Sequence, residues 1–208
     1  MKFSLFSLGI ICLFVIGCAP KERFLDEVHV VTTGQIKQFL HDESPFTGTL
    51  IDRSTTAGKA IYIIEQGYIN GAVEHYDAAG QLLLRENYLA GELSGLVESF
   101  FPNGTKRYAF NYLKGRKSGK QLRYYPSGSL KEELFYHGDQ LKGDNFLYYP
   151  NGILQHHFHF NAQGQRHGLW EKFHSNGQLK EEAAYDSGQL ISPIKRFDRS
   201  GKRVNYTP

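Results

Sequence analysis

The chain has 208 residues, a formal net charge of +3, 14% aromatic residues, 22 glycines and two cysteines. So mild a charge provides no electrostatic footprint for nucleic acid and excludes it as a partner class.

At the amino terminus Lys2 precedes an apolar run from Phe3 to Ile16, closed by Gly17 and Cys18. A charged start, a short apolar stretch and a small residue predict a secretory signal peptide over residues 1–17. The run is shorter than the roughly 20 residues a membrane-spanning helix needs. Val15-Ile16-Gly17-Cys18 resembles the bacterial lipobox. That resemblance implies a lipid on Cys18, which would anchor the chain to the membrane. With Ala19 next, it implies the cell envelope, at the outer membrane rather than the inner in a Gram-negative cell. Cys12 leaves with the signal and Cys18 is blocked by its thioether, so cysteine-based zinc sites and thiol nucleophiles are excluded. The charge then falls to +2, because the signal carries one lysine and no acid.

Residues 18–43 read as a tether and amino-terminal cap, with Lys21-Glu22-Arg23 as its polar start. Val28, Val30 and Val31 predict an edge strand. Gln35 to His41, with Ile36, Phe39 and Leu40, predicts a helical turn covering the first hairpin.

Residues 44–208 read as a repeat array. Gly71, Gly95, Gly119 and Gly143 lie 24 apart, Gly168 follows after 25, and Ser192 takes the same place. A fixed period of this length marks one supersecondary unit stacked many times. Counting each of these as position zero, position five is aromatic throughout: Tyr76, Phe100, Tyr124, Tyr148, Phe173 and Phe197. Positions seven to nine read Pro102-Asn103-Gly104, Pro126-Ser127-Gly128 and Pro150-Asn151-Gly152. Position eleven is Leu82, Leu130, Leu154 and Leu179, with Lys106 as the exception, and position seventeen is Tyr88, Tyr112, Tyr136, Phe160 and Tyr185. Aromatic stretches between glycine and proline punctuation read as strands.

Proline at position seven suits a type I turn, and the glycine at position nine a left-handed bulge, which makes a three-residue hairpin loop. In that register Tyr124 faces Leu130, Tyr148 faces Leu154 and Phe173 faces Leu179. Odd positions of both strands are then expected on one face, with the position-seventeen aromatics among them. A second turn, Ala90 to Ser94 or Lys114 to Ser118, joins one hairpin to the next. The expected fold is all-β: an elongated, single-sheet antiparallel meander of stacked 24-residue hairpins. At about 4.8 Å per strand, six units make a sheet roughly 60 Å long.

Glycine, a strand ending in two aromatics, Asn-Gly, a strand with leucine and then Tyr-x-x-Gly resembles the MORN-repeat variant. Gly143 to Phe160 and Gly168 to Gly188 show it best, and Ser44 to Gly48 resembles the segment that opens such arrays. The whole is similar to the YwqK family, described as antitoxin components of toxin–antitoxin modules. That resemblance implies a protein that binds a toxin or effector and catalyses nothing.

The residues alone place a candidate partner surface on the even face, at Phe101, Arg107, Arg123, Tyr125, Tyr149, Trp170 and Lys172. Aromatic and arginine side chains are enriched in binding hot spots. No cofactor and no metal is expected, and His157, His159 and His174 are the weak metal candidates, sharing the even face in this register. There is no nucleophile elbow and no P-loop. Glu132-Glu133 and Glu181-Glu182 recur at one repeat position, alternate between faces and balance nearby lysines. The expected function is a non-enzymatic, lipid-anchored protein-binding scaffold. The competing expectation is a structural role on the membrane surface.

Overall fold

The structure is a computed structural model that describes residues 21–34, 36–54 and 58–204. The segment expected to be a signal peptide, the lipobox-like residues with Cys18, and Gln35 lie outside the described residues. β1 (Glu22–Phe24) leads through a 3-10 turn, Leu25–Glu27, into an antiparallel sheet of β2 (His29–Thr33), β3 (Ile36–His41) and β4 (Ser44–Pro45). The main sheet opens with β5 (Gly48–Asp52), β6 (Gly58–Glu65), β7 (Tyr68–Asp77) and β8 (Leu82–Leu89). It continues through β9 (Glu92–Leu93), β10 (Gly95–Phe100), β11 (Lys106–Leu113), β12 (Arg116–Tyr124) and β13 (Leu130–His137). Next come β14 (Gln140–Leu141), β15 (Gly143–Tyr148), β16 (Leu154–Phe160) and β17 (Arg166–Phe173). β18 (Leu179–Asp186), β19 (Gln189–Leu190), β20 (Lys195–Phe197) and β21 (Arg203–Val204) complete it.

From β5 onward the long strands pair antiparallel with their sequence neighbours, and β1 adds to β5 in parallel. The sheet does not close. The expected all-β meander of hairpins is therefore the observed fold.

The hairpin loops have the expected chemistry. Gly128 N–H donates to Tyr125 O at 2.8 Å, Tyr125 N–H donates to Ser129 O at 2.8 Å, and Gly128 has a φ of +88°. Tyr124 stands across from Leu130, Tyr148 from Leu154 and Phe173 from Leu179, as the three-residue loop requires. One pair further on, the ladder slips. Arg123 pairs with Glu132, not with Lys131, so Lys131 is an extra residue. The same slip follows Tyr76, Phe100, Tyr148 and Phe173.

A one-residue slip moves every later side chain to the other face. The expectation that position seventeen joins the position-five aromatics is therefore wrong, and Tyr136 lies across from Gly119 instead. One face carries Gly119, Gln121 and Arg123 with Glu132, Leu134 and Tyr136. We call it the aromatic face. The other carries Lys120, Leu122 and Tyr124 with Leu130, Glu133 and Phe135. We call it the outer face.

The second turn is tighter than expected. Ala90-Gly91 has φ values of +49° and +83°, and Lys114-Gly115 +49° and +74°, as two-residue type I′ loops demand. Between β16 and β17 the loop is instead Asn161 to Gln165, of the three-residue kind, with Gly164 N–H donating to Asn161 O at 2.9 Å. That one added residue accounts for the 25-residue spacing before Gly168.

The main core lies at the amino-terminal end, where Phe39, Phe46, Leu50 and Ile64 are buried against Leu25, Val28, Val30, Tyr62 and Ile69. The helical turn expected over Gln35 to His41 is a correction: residues 36–41 are β3. The spacing of Ile36, Phe39 and Leu40 fits one helical face, but pairing with β2, rich in β-branched residues, wins. The predicted edge strand at Val30 and Val31 is β2, at the margin of the three-stranded sheet.

Candidate functional site

Positions two, fifteen and seventeen of successive units line the aromatic face. At the amino-terminal end the small sheet covers it. A cavity of about 300 Å³ remains there, lined by Val30, Phe39, Tyr62, Val73, Glu86 and Tyr88 among others. Burial, with the Glu86 carboxylate beside it, pushes the Tyr88 phenol up to about 12.

In the middle of the array Phe110 is 8% exposed. Its ring stacks on Tyr108 with centroids 4.5 Å apart, and Arg123 lies 5.0 Å from its centroid. Lys117 sits 5.7 Å from Phe110 and 5.2 Å from Tyr136. Arg123 is also held by Glu132 at 3.2 Å.

The carboxy-terminal units build the richest cluster. Trp170 on β17 lies 5.2 Å from Phe158, 5.4 Å from Phe160 and 5.3 Å from Tyr185 between ring centroids. Its indole N–H donates to His159 O at 3.1 Å, which fixes the ring. Arg166 places its guanidinium 4.7 Å from the Trp170 centroid and 5.4 Å from that of Tyr185. Such cation–π contacts are strongest over tryptophan. A cavity of about 370 Å³ opens here, with Leu147, His156, Lys172, Glu181 and Ala183 on its walls.

The structure scatters the candidate partner surface. Arg123, Trp170 and Lys172 do face one way, on the aromatic face. Tyr125 and Tyr149 do not join them, because they tie one loop to the next: Tyr125 donates to Tyr148 O at 2.8 Å and Tyr149 to Phe173 O at 2.9 Å. Phe101 opens the corresponding turn of its own unit, where its N–H donates to Thr105 O at 2.8 Å. Arg107 is the extra residue of its slip. The even positions of a unit straddle a bulge and so do not form one face.

The histidines divide in the same way. His157 and His159 share the outer face, but His174 is a turn residue whose Nε2 lies 2.9 Å from Phe197 O. Among the described residues no three His, Cys, Asp or Glu side chains are arranged to hold a metal. Each paired glutamate meets its cation: Glu132 with Arg123, Glu133 with Lys120, Glu181 with Lys172 and Arg196, and Glu182 with Lys195. Phe158, Phe160, Tyr185 and Arg166 were not in the candidate set. The bulge that gathers them around Trp170 leaves Lys180 as its extra residue, as Leu83, Arg107, Lys131 and Gln155 are in the other units, and residue types this mixed leave no common trace in the sequence.

The geometry of the unit agrees with the comparisons. Residues 117–137 and 166–187, each one strand pair with its loop, match the MORN repeat variant. The array is built from that repeat at these two places. No curated protein matches the chain.

Proposed function

We propose that the protein is a non-enzymatic, lipid-anchored repeat scaffold of the cell envelope that binds another protein through its aromatic face. In this reading it is the antitoxin or immunity partner of a toxin or effector. One observation carries the reading: the rings around Trp170, with Arg166 over them, are left open, whereas the amino-terminal end of the same face is covered. Tryptophan, tyrosine and arginine in one partly enclosed pocket are the residue types that dominate binding energy.

The test is quantitative capture of the partner by the native lipoprotein, identified by crosslinking and mass spectrometry. Arg166→Ala and Trp170→Phe should each weaken capture with the circular dichroism unchanged. Undiminished capture by both variants refutes the aromatic face as the binding surface. Labelling with a radioactive fatty acid, abolished in Cys18→Ser, tests the anchor.

A second reading is favoured by the terminal hairpin. From Ser192 onward the chain carries Lys195, Arg196, Arg199, Lys202 and Arg203 against Asp198 alone. Basic residues near exposed Ile191 and Ile194 suit an anionic membrane surface. Sedimentation with phosphatidylglycerol vesicles of a chain lacking the lipid would favour this reading.

A further inference from the structure

We propose that His157, with Asp144, Glu171 and His159, forms a proton-operated clamp that ties β15, β16 and β17 together in acid and slackens in alkali. This clamp lies on the outer face and is independent of what binds the aromatic face.

The geometry is a proton-counting problem. His157 Nδ1 lies 3.1 Å from Glu171 Oε2, on β17, and its Nε2 lies 3.1 Å from Asp144 Oδ1, on β15. A neutral imidazole has one N–H and one lone pair, and a carboxylate only accepts. The neutral ring can therefore serve one of these carboxylates. At the other it would turn a lone pair toward an anionic oxygen. Only the imidazolium satisfies both. The Phe146 ring stacks on His157 with centroids 4.9 Å apart and planes 7° from parallel, a placement that favours a cation over the ring face. His159 Nδ1 approaches the same Asp144 oxygen at 2.9 Å, so this carboxylate gathers two imidazoles.

The neighbouring charges do not replace the proton. On β17, His167 pairs with Asp186 at 3.2 Å and lies 6.1 Å from the His159 ring. One strand further out on either side, Glu133 is held by Lys120 at 2.6 Å and Glu182 by Lys195 at 2.7 Å. His156 and Lys172 belong to the opposite face, where Lys172 meets Glu181 at 2.8 Å. Among the described residues, the ion pairs reaching Asp144 and Glu171 come from imidazoles.

The position on the ladder gives the clamp a task. The β16–β17 register shifts between His157 and His159, so the backbone pairing is interrupted at this point. The side chains bridge the interruption.

Burial alone would push the His157 ring down. Its hydrogen bonds to Glu171 and Asp144, and their charges, outweigh that and raise it. The same bonds, from His159 first, hold the Asp144 carboxyl low. A group whose folded pKa is raised contributes fully below its unfolded value, about 6.5, and the contribution is lost as pH rises through the folded value. His156 has the opposite sign, because burial and then Lys172 push it down. Total stability therefore mixes the two, and a single-site readout is needed.

The experiment is an NMR titration of the ring nitrogens in the intact chain, alongside urea unfolding at pH 6.5 and pH 9. His157 should titrate above free histidine, and Glu171→Gln should lower that midpoint. Relative to His157→Gln, the unfolding constant of the wild type should rise between these two pH values, by about fivefold for an upward shift of one unit. A His157 midpoint at or below that of free histidine overturns the clamp. So does a stoichiometric zinc-induced shift of the same ring, which would make the cluster a metal site. If His157→Gln does not fold, the titration of Glu171→Gln decides alone.

Discussion

Asn145 is the residue whose loss should be felt most. It has 0% exposure on the aromatic face, where the neighbouring units place Gln121 and Trp170. Its Oδ1 accepts from Phe135 N–H at 2.9 Å, and its Nδ2 donates to Gly143 O at 2.9 Å and to Lys142 O at 3.2 Å. These groups lie where β13 passes through the short β14 into β15 and the backbone ladder is interrupted. Alanine would strand one N–H outright and leave two carbonyls short of a donor. An unsatisfied buried group costs about 1–3 kcal/mol and a neutral hydrogen bond contributes about 1 kcal/mol, so Asn145→Ala should cost roughly 3 kcal/mol. Against a total of about 5–15 kcal/mol, that is a large fraction. Urea unfolding followed by circular dichroism measures it, with the slope checked for a break into two transitions, since stacked units couple only to their neighbours. Asn145→Asp should be worse at neutral pH, because a carboxylate would face two carbonyls, and should recover partly in acid. A loss below about 1 kcal/mol for alanine would show that water satisfies these groups and would refute the reasoning.

Tyr149→Phe removes one loop-to-loop bond and should cost about 1 kcal/mol in the same assay, with partner capture unaffected. Gly95→Ala places a side chain at a φ of +108°, with its Cβ 3.2 Å from that of Asn87, and should cost about 2 kcal/mol. The carboxyl of Glu74 is held low by the Tyr76 hydroxyl and then by Arg85, and that of Glu181 by Lys172 and Arg196. Lowered carboxyls contribute above their unfolded pKa, near 4, and the contribution is lost as pH falls through the folded values, so the urea midpoint should drop below about pH 4. Glu74→Gln should reduce that drop.

How much of this was legible in the sequence is clearest at one hairpin. Pro126-Ser127-Gly128 dictates its own turn, because proline and glycine fix backbone angles locally, and so the Tyr124–Leu130 pair could be read directly. Lys131 carries no such mark. A bulge arises when an extra residue fits between two ladders, and a lysine tolerates that as well as any exposed residue. Missing it flipped Tyr136 to the other face and misplaced the candidate surface. The amino-terminal cap failed for a different reason. Ile36, Phe39 and Leu40 satisfy helix spacing, and only the tertiary partner β2 decides for strand. Lys106, the break in the leucine pattern, has a local cause: its ammonium lies 2.6 Å from Glu98, whose side chain is mostly buried.

The array separates what holds it up from what it presents. Its supports are backbone-directed and recur from unit to unit: Asn103 donates to Pro126 O, Asn151 to Ser175 O and Asn176 to Arg199 O, each at 2.9–3.0 Å along the loop edge. Side chains also bridge the turn-side bulges, through Asn87, Asn111, Asn145 and Ser192 at four of the junctions between units. Position two joins this support in three units, where Gln121 donates to Asn111 O at 2.8 Å, Asn145 to Gly143 O at 2.9 Å and Trp170 to His159 O at 3.1 Å. The residues at positions two and fifteen nevertheless differ from unit to unit. Position two runs Val73, Val97, Gln121, Asn145, Trp170, and position fifteen runs Glu86, Phe110, Leu134, Phe158, Ala183. Under the proposed function, a face that changes from unit to unit would be read by a partner that contacts several units at once. Binding energy concentrated at the Trp170 cluster, with register set by the units before it, is the arrangement such a face would produce.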